Sequence, residues 1–565
     1  MVTIVLHTHI PHVLHHGTWP HGSDWLCEAV AECYLPLLKM CDRLVAEGIR
    51  PGITFDISPV LCEQLSHPDF PDLFDAYCKD HAELANTDAD RFATDGNAEQ
   101  ERLARGWSLW YLKKCEEFGD DYKSDIVGAF RRLQDTGAIE ILTCGVTHGY
   151  LPLLAEDASV DLQVRLAVAN YKRHFGKHPR GIWLPECAYR PAYPWRTLLP
   201  VAAYSVARMR AGVEQTLVAN NLEYFITDEG ALAASTPLGM AVGKGAMAYS
   251  EMDGLEKRLL DDRTPMQVYR VASNLDAESV AVFTRNRTIA LQVWSGDTGY
   301  PGDPDYLDFH KKYFQSALRY WRVTDNKADM QYKQLYVPEW AEKRAVEHAK
   351  HYTEILEITA RYYQDEYGKE PTLCLPFDTE LFGHWWFEGP LFLEHVLRNI
   401  HASIHLSTRT TSEQHDTVMP RLVVALPESS WGKNGNHDVW MNPEVQWTWE
   451  KEYLLERRVR MLIEKHRSAS WDPIMRRLIL NTFRQMLLAQ SSDWQFLIST
   501  FSSKEYAQMR FHNHATDAMT LADSAERYAV SGNLSAKEQA TLEACEARDT
   551  LLQNELDLYL DGDLQ

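Results

Sequence analysis

The chain of 565 residues is punctuated by short apolar runs, each breaking off into histidines, carboxylates or aromatics. Seven stand out: TIVLHTHI (3–10), PGITFDISPV (51–60), AIEILTCGVTHGYLPLL (138–154), GIWLPECAYRP (181–191), LEYFITDEG (222–230), IALQVWSGDTGYPGD (289–303) and PTLCLPFDTELFGHWW (371–386). Segments with helical periodicity, such as 25–48 and 159–176, lie between several of them. A strand buried on both faces reads as a continuous apolar run, and strands alternating with helices imply a parallel sheet with crossover helices. Chemical groups gathered just beyond the strands place a site at the carboxyl ends of a closed α/β barrel. Seven runs is one fewer than the usual eight.

Three segments break this rhythm. Residues 67–127 are acidic and helical in pattern and read as a helical insertion in the barrel. Residues 231–265 are Gly- and Ala-rich and then charged, which reads as a long irregular excursion after a barrel strand. Beyond one more extended run at 421–431, helical patterns dominate to the end. The expected division is therefore a catalytic barrel over 1–401, carrying both excursions, and an α-helical domain over 402–565. No internal repeat is present.

Lys and Arg number 57 against 80 Asp and Glu, a formal charge of −23. Such a surface repels phosphate backbones and anionic lipid, which argues against nucleic acid or a membrane as partner and for a neutral substrate. The ten cysteines are scattered singly, so reduced buried thiols are expected rather than a disulfide framework. With no leader-like start and no run of about 18 apolar residues, the reading is cytoplasmic.

Two carboxylates follow apolar strands directly: Glu186 in WLPECAY and Asp378 in PFDTE. Carboxylates are costly to bury unless paired or used. Two on different strands of one barrel face each other across its mouth, which suits glycoside cleavage with one carboxyl as nucleophile or base and the other as proton donor. The competing role for either is a helix cap or an ion-pair partner. The surroundings favour chemistry. PFDTELFGHWWFEGP (376–390) mixes Trp385 and Trp386 with Asp378, Glu380, His384 and Glu388. Flat aromatic rings stack on the C–H faces of sugars while polar groups bond the hydroxyls. Trp19, Trp294, Trp385, Trp386, Trp431, Trp440, Trp447, Trp449 and Trp494 all sit in loop-like or strand-end contexts. His7 and His9 point the same way from one strand end, where they could bind a metal, contact a sugar or orient Glu186. No third ligand follows from spacing, and no metal or other cofactor is assigned.

LHTHIPHV (6–13), GVTHGYLPLL (145–154), WLPECAYRP (183–191), QVWSGDTGYPGD (292–303) and LPFDTELFGHWWFEGP (375–390) resemble, in order, motifs of glycoside hydrolase family 57. The likeness is greatest to its 1,4-α-glucan branching members and runs on through PESSWGKNGNHDVWMNP (427–443) and SSDWQFLI (491–498). It implies a distorted (β/α)₇ barrel with a helical insertion, closed over by a C-terminal helical domain. It also implies a retaining mechanism with Glu186 as nucleophile and Asp378 as acid/base, roughly 5–5.5 Å apart. His9 and His148 match histidines beside the nucleophile. Trp19, Trp294, Trp431 and Trp440 match glucan contacts, and Asp493 matches a site residue from the helical domain. Branching members carry a loop after the fifth strand with a tyrosine that shields the intermediate from water. Here GKGAMAYSEMDG (243–254) departs from that pattern, and Tyr249 is the one candidate between 228 and 263.

The activity implied is cleavage of an α-1,4 glucan and transfer of the held chain to a 6-hydroxyl, by a monomer or small homo-oligomer. Within the family the alternatives are an α-glucan hydrolase or a 4-α-glucanotransferase. Outside it stand a catalytically inactive glucan-binding protein and a metal-dependent sugar deacetylase or mannosidase.

Overall fold

The structure is a computed structural model that describes every residue except 20, 244, 467–471, 564 and 565. Seven strands carry the fold: β1 (Val2–Thr8), β2 (Thr54–Ile57), β3 (Glu140–Leu142), β4 (Gly181–Ile182), β5 (Tyr224–Asp228), β6 (Val280–Arg285) and β7 (Leu373–Asp378). Every pairing among them is parallel. β1 joins β2 and β7, β2 joins β3, β4 joins β5, β5 joins β6, and β6 joins β7. A parallel bridge from Thr143 to Ile182 ties β3 to β4 and completes a ring in chain order. β1 is buried along its whole length, as a strand enclosed on both faces must be.

The sixth strand lies elsewhere than the apolar pattern placed it. Residues 280–285, not 289–303, form β6, and IALQVW belongs to a helix spanning Arg287–Trp294. Asn286 decides the matter: its side chain accepts a hydrogen bond from the Ile289 amide at 3.3 Å and caps the helix. A short apolar run fits strand and helix equally until such a start signal is read.

Between β2 and β3, α1 (Phe70–Thr94) and α2 (Ala98–Glu116) pack on each other outside the ring. The segment 231–265 is regular rather than irregular. Thr236–Val242 and Gly245–Ala248 form an antiparallel hairpin, followed by a helix at Gly254–Asp262. This hairpin pairs with Leu422–Ala425, which pairs with Tyr269–Val271, which in turn pairs with β6. The sheet therefore continues past residue 401 into the segment expected to open the helical domain. Helices α3 (Gln446–His466), α4 (Pro473–Ala489), α5 (Ser492–Ser499) and α6 (Lys504–Ser531) follow, with two more at Ala536–Arg548 and Gln553–Asp561. They share an apolar core built on residues such as Leu478, Phe483, Leu487 and Phe511, which runs on into the barrel through Val60, Val146, Leu162 and Leu166. All ten cysteines are free. No helix among the described residues is long and apolar enough to cross a membrane.

Candidate active site

The carboxyl ends of the ring strands open into a cavity of about 1110 Å³ that Glu186 and Asp378 both line. The Asp378 side chain leaves the last residue of β7, which lies beside His7 of β1 in the register. Glu186 follows β4 in a short turn whose backbone is left-handed at Glu186 (φ 61°) and Cys187 (φ 48°). Non-glycine residues in that region are strained, and such strain persists where surrounding structure enforces it. Here Trp431 enforces it twice. Its amide donates to the Glu186 carbonyl at 3.0 Å. Its indole Nε1 donates to Glu186 Oε2 at 2.9 Å. The other carboxylate oxygen, Oε1, accepts from Ser492 Oγ at 3.0 Å.

The helical domain thus completes the site. Ser492 and Asp493 open α5, which docks on the barrel through a bridge between Gly149 and Ser491 and a hydrogen bond from the Ser492 amide to the His148 carbonyl. His148 is left-handed as well (φ 59°). Its Nδ1 lies 2.8 Å from Ser492 Oγ, and its ring stacks on His9 at 3.9 Å. His9 Nε2 lies 2.9 Å from Asp493 Oδ2. His7 stacks flat on Trp183 at 4.7 Å and reaches Asp56 and His148 with its two ring nitrogens.

Burial and charge split the carboxyl groups apart. Burial pushes Glu186 up to about 7, the Trp431 and Ser492 hydrogen bonds opposing and the Asp493 charge adding to it. Asp378 lies well above the usual carboxylate range, through burial first and then the neighbouring Glu380 and Glu186 charges, with Arg285 opposing. Asp493 goes the other way. Its burial is outweighed by the His9 ring, which holds it well below the usual range. Two titratable carboxyls pushed to different values in one groove is how a site separates a charged group from a proton donor.

The aromatic wall is continuous. Trp431 stands 6.2 Å from Trp294, and Trp294 stands 6.1 Å from Trp385. Trp19 lines the rim at 75% exposure. Trp440 is buried but lines the wall, stacked on Tyr150 at 4.7 Å. Three expected contacts are corrected. Trp386, next to the groove-facing Trp385, turns into the core against Tyr306 and Phe392 and does not line the cavity. Gly383 makes this tight loop possible. Its φ is +119°, and a Cβ there would strike the Glu32 carbonyl. Trp494 is buried in the helical-domain core, its indole N–H donating to the Leu488 carbonyl. Tyr249 lies outside the cavity, bonded to Asp261 beneath Lys257, because its hairpin extends the sheet edge instead of bending over the groove.

Several further groups shape the groove, of which the sequence pattern pointed only to Glu380. Arg285 pairs with Asp228 across β6 and β5 and lies 5.7 Å over the Trp431 ring. Glu380, two residues past Asp378, is buried and held by the Tyr34 hydroxyl at 2.6 Å. Tyr77 of α1, with Trp107 and Tyr111 of α2, walls the far side. Ser492 lies in the SSDWQFLI motif behind Glu186, and Asp56 carries the signal that marked Asp378, a carboxylate in an apolar strand. Among the described residues, His9, His148 and Asp493 lie close enough to hold an ion, but the His9–Asp493 hydrogen bond already joins two of them.

A parallel barrel with two half-buried carboxyls in an aromatic-walled groove defines a carbohydrate-active enzyme. The chain belongs to glycosyl hydrolase family 57, whose model matches residues 3–427. Residues 453–559 match the model of the 1,4-alpha-glucan branching enzyme C-terminal domain. The chain is 37% identical over 556 residues to a 1,4-alpha-glucan branching enzyme of Thermococcus kodakarensis, covering 97% of this chain and 76% of that one. The crystal structure of a GH57-type branching enzyme from Pyrococcus horikoshii superposes with a TM-score of 0.86 at 35% identity, over 99% of this chain and 96% of that one. The α-amylase AmyC of Thermotoga maritima does so at 0.77 and 29% identity, over 97% and 96%.

Proposed function

We propose that this chain is a 1,4-α-glucan branching enzyme acting by double displacement. The observation that carries this reading is Glu186, fixed at both oxygens by Trp431 and Ser492, in the same groove as Asp378, whose carboxyl burial also raises. In the first step a Glu186 oxygen bonds to the anomeric carbon, the bond from that carbon to the glycosidic oxygen breaks, and Asp378 protonates the departing oxygen. In the second, Asp378 takes the proton of an acceptor 6-hydroxyl, whose oxygen displaces Glu186. Two inversions retain the α configuration. Trp294, Trp385 and Trp431 offer flat faces to the glucan, and the acidic surface tolerates a neutral substrate. Incubation with amylose should yield new α-1,6 linkages in excess of new reducing ends, read by debranching and linkage analysis. Reducing ends without α-1,6 linkages would refute transfer.

One observation favours a second reading, hydrolysis within the same family. With Tyr249 outside the cavity, no tyrosine from 231–265 shields the intermediate. The AmyC likeness points the same way. The ratio of linkages to reducing ends measures both activities at once.

The electrostatic ordering makes a further prediction. Activity requires charged Glu186 and protonated Asp378, so kcat/KM should fall on the acid side as pH drops below about 7. The alkaline limb reports Asp378. Glu380→Gln removes a like charge that raises Asp378, so that limb should move down by about one pH unit. An unmoved alkaline limb would dissociate it from Asp378.

A further inference from the structure

Behind Glu186 runs an unbroken line of polar contacts. Asp56 Oδ2 lies 2.5 Å from His7 Nδ1, and His7 Nε2 lies 3.1 Å from His148 Nε2. His148 Nδ1 lies 2.8 Å from Ser492 Oγ, which lies 3.0 Å from Glu186 Oε1. All five side chains are buried or nearly so; Asp56, at 0% exposure, closes the inner end. We infer that Asp56, His7, His148 and Ser492 form a proton relay that shares one proton between the Asp56 carboxyl and Glu186. Asp56 thereby becomes a positioning residue for the reaction. This rests on the proposed role of Glu186 as nucleophile.

Counting protons leaves two arrangements. A neutral imidazole has one N–H and one acceptor nitrogen. When Asp56 is protonated it donates to His7 Nδ1, His7 Nε2–H donates to His148 Nε2, His148 Nδ1–H donates to Ser492, and Ser492 donates to a charged Glu186. In the opposite arrangement each proton moves one step. Glu186 holds a proton and gives it to Ser492 as a hydrogen bond, both rings switch tautomer, and Asp56 carries the charge. One O–H or N–H bond breaks and one forms at each link, so the net charge is the same. Only the first arrangement presents a nucleophile.

The surroundings select that arrangement. Burial holds both rings neutral: His7 lies well below the usual histidine value through desolvation first and then His148 and His9, and His148 through desolvation first and then His9, with the Asp493 charge opposing. Asp56 is raised well above the carboxylate range by burial and then by Glu380. Among the described residues the groups that act on or are acted on by its charge are His7, Glu380 and the neutral thiols of Cys62 and Cys144, none of them a cation. Glu186, by contrast, faces the Trp431 N–H, the Ser492 hydroxyl and the His9 ring as well as the Asp493 charge. Asp56 is thus the better place for the proton. Its second oxygen, Oδ1, is buried without a partner, as suits a neutral carboxyl better than a charged one.

The test is the acid limb of kcat/KM on amylose. Asp56→Ala removes the terminal donor and should raise that limb by about one pH unit, close to a tenfold loss at acid pH. Asp56→Asn keeps an N–H for His7 Nδ1 and should leave the limb where the wild type has it. In a Ser492→Ala background the chain is already cut, so adding Asp56→Ala should move the limb no further. A shift that persists there, or an equal shift in Asp56→Asn, overturns the relay. Inactivity of Glu186→Gln is measured separately, so failure of the relay and failure of the nucleophile assignment remain distinct.

Discussion

Glu186→Gln should lower turnover on amylose by about 10⁴-fold or more, since no neutral amide replaces a carboxylate that must bond to the anomeric carbon. The substitution is nearly isosteric, and the site can hold it. The amide oxygen accepts the Trp431 N–H, and the amide NH₂ turns to Ser492, whose oxygen can accept. The fold therefore survives, and stability gives an independent check. A carboxyl moved from an ordinary 4.5 to about 7 on folding is more willingly protonated in the folded chain. The folded state therefore loses roughly 3 kcal/mol as pH rises through that interval. Gln does not titrate and escapes the loss. The variant should match the wild type in thermal unfolding near pH 4 and exceed it by a few degrees near pH 8. Retained turnover would remove Glu186 from the chemistry; a variant less stable at both pH values would show that the carboxylate holds the site together instead.

The barrel was legible because its strands are enclosed on both faces and so appear as uninterrupted apolar runs; six of the seven coincide with ring strands. The sixth failed because VAVFTR, the true strand, ends in Arg285 instead of a carboxylate or histidine, while the next apolar run lies in a capped helix. Glu186 and Asp378 were visible through their position just past a strand. The tryptophans were only partly so. Trp385 and Trp386 have the same composition around them, and only the reversal of the chain at Gly383 sends one to the groove and the other to the core. Trp494 sits one residue from a groove carboxylate but on the inward face of its helix. Ser492, Asp56 and Arg285 owe their roles to contacts across 306, 49 and 57 positions of chain or to neighbouring strands, which periodicity does not encode. The segment 231–265 misled for a physical reason. Its Gly-rich composition describes a hairpin as well as it describes an unstructured loop, and the strand that fixes it, Leu422–Ala425, lies far along the chain.

Asp378→Ala should cost about 10³-fold on amylose, less than loss of the nucleophile, because general acid–base assistance contributes typically 10²–10⁴. The residue is the last of β7 and its backbone is held by the ladder to β1, so truncation leaves the strand intact. Among the described residues no donor bonds the half-buried Asp378 side chain, so it is removed at little cost. The chemistry then divides by leaving group. An α-glucosyl or maltosyl fluoride needs no proton to depart, so the variant should still load Glu186 at a rate near that of the wild type. Discharge should stall, since no base takes the acceptor's proton, and a burst of fluoride should precede a slow steady state. Azide needs no base. It should enter the space vacated by Asp378 and release the glycosyl group as the α-azide, restoring turnover in proportion to its concentration. The same anion should do nothing for Glu186→Gln, which has no intermediate to discharge. The α configuration is the discriminating detail. Two displacements through Glu186 retain it, whereas direct attack by azide on the fluoride would give the β product. A β-azide, or rescue of both variants alike, would mean that these carboxyls do not divide the work between them.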